Sequence, residues 1–181
     1  MKERVIQIHT KQQLQNTFVK RWRDQEHFMK YLAQRQKIHN VLDPIIPGVM
    51  DIGLTHRLHT DLQSLHIDYT HIIPTENLYL EYLTALSQNK ARGELVAHAY
   101  CFVLAHISGG GTQIASSAKG VLPPWFLQQS EYFNIENRDK IRDDMIRSID
   151  QEATYMTPIE MVECVQEVDT AYRFISLLLN Q

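Results

Sequence analysis

The sequence predicts an all-α fold. Apolar residues recur at three- and four-residue spacing along nearly the whole chain, the scarce glycines and prolines cluster between those stretches, and no alternating strand pattern competes. With 181 residues and no repeat, low-complexity tract or linker, the chain reads as one domain over 1–181.

Each element follows from its own pattern. Residues 1–19 read as a helix with Val5, Ile8, Leu14 and Phe18 on one side. A second helix runs from Gln25 to Asp43, with Phe28, Leu32, Ile38 and Leu42 on one face and Pro44 as its stop. Pro47-Gly48 turns the chain into a third helix over 50–67, carrying Leu54, Leu58, Leu62 and Leu65. Thr75 is the expected N-cap of a helix over 76–90. A long helix from Glu94 to Lys119 is interrupted by Gly109-Gly110-Gly111, and Pro123-Pro124 ends that region. Residues 134–153 form a charged amphipathic helix. Thr157-Pro158 then starts a last helix, whose Ile159, Val162, Val165, Val168, Tyr172, Ile175 and Leu179 trace one expected buried stripe.

Composition narrows the function classes. A chain 44% hydrophobic and 22% charged supports a core and solubility, and a net charge of -3 argues against a general nucleic-acid binder. No apolar run approaches the about eighteen residues that span a bilayer, so no membrane partner is expected. The first residues lack a signal peptide's apolar segment. Cys101 and Cys164 sit in helical contexts without metal-ligand or redox spacing, which fits reduced core thiols and a cytoplasmic home.

Three glycines inside a helical pattern cost about 1 kcal/mol each relative to alanine. A plain interhelix turn is one explanation, although proline, asparagine and aspartate do not flank them. The other is a helix kinked so that bare backbone presses on a flat ligand. A phosphate loop would follow a strand and bring a lysine, and neither is present.

His98-Ala99-Tyr100 followed by Leu104-Ala105-His106-Ile107-Ser108-Gly109-Gly110 resembles the distal-helix signature of the biliverdin-forming haem oxygenases, H-A-Y then L-G-D-L-S-G-G at the same spacing. Ile8-His9-Thr10-Lys11-Gln12-Gln13 is similar to the proximal motif of plant and cyanobacterial members, His39 falls near the family's second helix, and Met156-Thr157-Pro158 fits the start of its last helix. These anchors span 5–179, while 44–93 matches by helical pattern more than by identity. The resemblance implies a haem-oxygenase-like helical bundle in which haem, both cofactor and substrate, lies between a proximal helix and a glycine-kinked distal helix.

It also assigns roles. His9 is the expected iron ligand, and Gln13, one turn on, can accept from its second ring nitrogen. His106, where aspartate is commoner in the family and histidine occurs in plant-type members, would hold water and relay protons beside Gly109 and Gly110. Against this stands a core histidine bonded to a carbonyl. Arg138 and Arg142, one turn apart, together with Lys2 and Tyr100, are expected to meet the haem propionates; a solvated charged run is the plainer reading of the arginines. The family's second basic position near Ile6 is apolar here. The implied reaction converts haem and dioxygen to biliverdin, carbon monoxide and ferrous iron, with electrons from a separate ferredoxin or flavin reductase. A non-catalytic haem-binding protein is the alternative. A thiaminase-like enzyme using Cys101, or a di-metal oxidase using Glu94 and His98, shares the architecture but lacks its remaining partners in this sequence.

Overall fold

A computed structural model of the chain describes residues 22–46, 52–65 and 77–179. All regular structure among these residues is helical: α1 (Gln25–Leu42), α2 (Leu54–Ser64), α3 (Leu78–Gln88), α4 (Arg92–Ala99), α5 (Gly111–Ser117), α6 (Pro124–Gln129), α7 (Arg138–Ala153) and α8 (Pro158–Leu179). No described helix is long and apolar enough to cross a membrane. The first expected helix, with Lys2, His9 and Gln13, lies outside the described residues.

Local chemistry sets most boundaries. The Asp24 carboxylate accepts from the His27 amide at 2.8 Å and starts α1; Pro44 ends it in a short 3-10 turn over Asp43–Ile45. The third expected helix is shorter than 50–67, because Gly53 takes a left-handed conformation (φ 62°) immediately before Leu54. At α3 the cap is Asn77, whose side chain accepts from the Leu80 amide at 3.0 Å; Thr75 lies outside the described residues. Pro123-Pro124 begins the short helix α6 instead of simply ending the region. Thr157 and Glu160 form a reciprocal cap at the start of α8.

Helices α1 and α2 pack together, α3 bridges α1 and α4, and α8 lies along α4. Phe28, Leu32, Ile38, Leu42, Leu54, Leu58 and Leu62 are fully buried between them. The stripe expected on α8 needs correction. Ile159 and Val162 are 70% and 56% exposed, and the buried line is Cys164, Val168, Ala171, Tyr172 and Leu178. Periodicity alone sets the angular width of a stripe, while the packing partner α4 decides which edge of it is covered.

Between α4 and α5 the chain stays helical but widens into two π-helical stretches, Tyr100–Leu104 and His106–Gly110. Such widening shifts the side chains after it around the axis and leaves the local backbone less tightly bonded. Gly109 bends it most, at φ 127°, a conformation that L side chains rarely adopt. A Cβ at Gly110 would lie 2.7 Å from the Ala105 carbonyl oxygen, and one at Gly111 would lie 2.5 Å from Cε1 of His106. Beside the ligand contact expected of Gly109 and Gly110, each glycine has its own local requirement.

Replacing Gly109 with alanine should lower stability by about 1–2 kcal/mol through backbone strain, with helical content retained. Gly111→Ala should cost more, because the His106 ring must leave its place. Urea unfolding followed by far-ultraviolet circular dichroism measures both; equal stability of Gly109→Ala and wild type would contradict the strain.

Candidate functional site

The polar centre of the molecule gathers on Tyr132, a residue in the loop after α6. Asp61, on the last turn of α2 and 4% exposed, accepts from the Ser130 hydroxyl and from the amides of Glu131 (3.0 Å) and Tyr132 (3.1 Å). Asn134 donates to the carbonyls of Leu127 and Ser130 at 2.9 Å each and closes α6 from the other side. The loop is therefore fixed at both ends, and it drives the Tyr132 ring into the core.

There the phenol joins a directed chain of hydrogen bonds. Burial lowers the His39 pKa, although Asp43 beside it pushes the other way, so the ring is neutral near pH 7. Its Nδ1 lies 3.0 Å from Asp43 Oδ1, and only a protonated Nδ1 can bond a carboxylate. Nε2 must then accept, and the Tyr132 hydroxyl donates to it at 2.8 Å. The same oxygen accepts from Arg35 Nε at 2.7 Å, while Arg35 Nη1 donates to the Tyr31 hydroxyl at 2.9 Å. At the far end, Asp43 Oδ2 accepts from the Thr55 amide (3.0 Å) and hydroxyl (2.8 Å). Four elements are thus tied through side chains of which Arg35, His39, Asp43 and Tyr132 are all buried.

His106 enters the same cluster from the widened helix. Its ring stacks on Tyr132 with centres 4.1 Å apart, and Nε2 donates to the Tyr132 carbonyl at 3.0 Å. Nδ1 has no partner. Burial first, then the Arg35 charge, hold its pKa well below the ordinary histidine value. The carbonyl-bonded core position weighed from sequence is the one His106 occupies.

The other expected residues are spread out. His98 is fully buried on the opposite side of α4, with Nδ1 2.9 Å from the Tyr79 hydroxyl and Nε2 2.8 Å from Glu167 Oε1, which also accepts from Tyr82 at 2.7 Å. That arrangement pins α3, α4 and α8, and among the described residues no group of three histidines, cysteines or acids is arranged to hold a metal. Tyr100 is half-buried at the first widened turn; burial, then the neighbouring Cys101, raises its pKa. Arg138 donates to Thr112 on α5 and, at 2.7 Å, to the Phe133 carbonyl, beside the bent helix. Arg142 instead bonds Asp139 (2.8 Å) and Asp143 (3.0 Å) in solvent, so the shared edge expected of the two arginines is not formed. Burial pushes both thiols up, Cys164 to about 11, which keeps them protonated and unreactive near neutral pH.

Arg35, Asp43, Asp61 and Tyr132 escaped the sequence reading. For Arg35 a signal existed: it lies three residues from Leu32 and from Ile38, inside the apolar face of α1. Tyr132 reaches Arg35 and His39 across more than 90 residues, and no local pattern encodes that contact. Compared with known proteins, the chain matches no family model and no curated protein.

Tyr132→Phe keeps the ring and removes the hydroxyl, leaving Arg35 Nε and His39 Nε2 unpaired. It should cost about 2–4 kcal/mol in urea unfolding. A pH dependence follows from the two buried histidines. Below the ordinary value of 6.5 the unfolded chain takes up protons that native His39 and His106 resist, so stability falls as pH drops from 7 towards 5. His106→Gln should flatten that slope in urea titrations at several pH values; an unchanged slope would exclude His106 as a source.

Proposed function

We propose that this chain is a haem oxygenase, which binds haem against the bent stretch at Gly109 and opens it to biliverdin, carbon monoxide and ferrous iron with dioxygen and an external electron donor. The observation that carries the reading is the bare backbone at Gly109, where, among the described residues, no atom beyond its own stretch of helix lies within 4 Å of the position a Cβ would take. Open space against a helix backbone suits a flat ligand, and it occurs at the residues that resemble the family's distal signature. When bound, haem supplies the iron that activates dioxygen and is itself the substrate.

Fit differs from residue to residue. The Arg138 guanidinium, set beside α5, suits a carboxylate at the edge of the bend. Arg142 would have to exchange Asp139 and Asp143 for a propionate. His9 is the proposed iron ligand, steadied by Gln13, with Lys2 and Tyr100 as further propionate partners. A ferredoxin or a flavin reductase, available in a cytoplasmic setting, would provide electrons. His106 commits its ring N–H to the Tyr132 carbonyl, so its proposed part is to set the bend and offer Nδ1 as an acceptor. The same commitment favours a second reading, a haem-binding protein without turnover, because His106 then lacks a proton to give.

Haem titration followed by single-turnover spectroscopy tests both readings, using ascorbate or a ferredoxin system with catalase present. A Soret band and a bilin product are expected. His9→Ala should lose the histidine-ligated spectrum and regain it with imidazole, and His106→Ala, which releases the bend, should slow bilin formation by about 100-fold, as a misplaced substrate does. A red complex that yields no bilin selects the second reading, and the absence of a Soret band defeats both.

A further inference from the structure

Arg35 is a buried charge with no carboxylate against it among the described residues. It is 3% exposed, and its Cζ lies 4.0 Å from the centre of the Phe102 ring. Its hydrogen-bond partners are two phenol oxygens, Tyr132 at 2.7 Å from Nε and Tyr31 at 2.9 Å from Nη1, and its Nη2 has none. The Asp43 carboxylate is reached only through Tyr132 and His39. An arginine keeps its charge even when buried, so this guanidinium carries a desolvation cost that phenols offset poorly.

The unused capacity of the guanidinium itself is donor capacity. Both N–H groups of Nη2 are free, and the Tyr31 oxygen already accepts from Arg35, which leaves its own hydrogen to be donated. Around these donors stand aromatic rings: Phe102 beneath the guanidinium, and Trp22 and Phe28 with centres 4.9 and 6.1 Å from Tyr31. A water molecule would accept from the donors but, being neutral, would leave the guanidinium charge uncompensated. A ligand that only accepts, and carries negative charge, satisfies every group and compensates the guanidinium.

We propose that Arg35 and Tyr31 form a buried binding site for a small monovalent anion of the size of formate, nitrate or a halide. The deep burial limits the ligand to a few atoms. Arg35 Nε stays on Tyr132 when Nη2 takes the anion, so occupancy steadies the Tyr132 hydroxyl and, through the stacked ring, His106 at the bend. This site is independent of the haem reading, and its test needs no haem.

The experiment is thermal unfolding of the full chain without haem, in rising sodium formate, nitrate or bromide, at ionic strength held constant with gluconate. A saturable rise in the midpoint is expected, since a ligand that binds the native state alone stabilises it by mass action. Tyr31→Phe should weaken the apparent affinity by about tenfold, as loss of one hydrogen bond to a charged ligand does. Arg35→Met should abolish the effect; if that variant does not fold, Tyr31→Phe and the bromide crystal below carry the test. In a crystal grown with bromide, an anomalous peak should stand within hydrogen-bond distance of Nη2. A midpoint that follows ionic strength alone, stabilisation undiminished in Tyr31→Phe, or a water at Nη2 that bromide does not replace would overturn the proposal.

Discussion

The Tyr132 hydroxyl, which accepts from Arg35 and donates to His39, is the contact on which the rest of the interior depends. Remove it and a guanidinium and an imidazole, both more than nine-tenths buried, each lose one partner in a place where little water can replace it. The bond also crosses the structure, joining a loop near residue 130 to the middle of α1. Because Asp61 holds that loop by its backbone amides, the position of α2 is read into the position of the phenol. Apolar packing among Phe28, Leu32, Leu58 and Leu62 tolerates small shifts, whereas a directed chain from Thr55 to Tyr31 fixes register.

The widened helix after α4 is set between two such anchors. On one side His98 is bonded at both ring nitrogens, to Tyr79 and to Glu167, which locks α4 against α3 and α8. On the other, His106 is stacked on Tyr132 and bonded to its carbonyl. Seven residues lie between the two histidines; the first π-helical stretch falls among them, and the second runs from His106 into the glycines. Widening a helix rotates later side chains around the axis, so His106 and His98 face opposite partners without a break in the backbone. Gly111 then admits the imidazole, whose edge occupies the space a Cβ would need.

Much of the helical layout was legible, because three- and four-residue spacing, Pro44 and Pro158 are local signals that act within a turn of where they stand. The bend was also legible, since glycines are costly in helices and three in a row demand a cause. What stayed hidden is tertiary. Ile159 has the spacing of a core residue and lies in solvent, because α4 covers another edge of α8. Arg138 and Arg142 sit one turn apart, yet one turns to Thr112 and Phe133 while the other is taken by the acids beside it. Tyr132 has no periodic neighbours at all, so its role follows only from chain segments that meet in the fold.

Three glycines with three different constraints explain why the bend is compact. Gly110 lets the Ala105 carbonyl approach, Gly111 receives the His106 ring, and both contacts are internal to the protein. Gly109 differs: its conformation requires glycine, but among the described residues the space beside it is open. Internal packing therefore accounts for two of the three residues and leaves the bare surface at the third as a consequence of the turn they make together. A bend built this way is held by the buried Tyr132 cluster behind it, so whatever meets the Gly109 backbone meets a surface that is already in place. That pre-organisation would lower the ordering cost of binding a rigid flat molecule there, because the backbone would not have to rearrange to meet it.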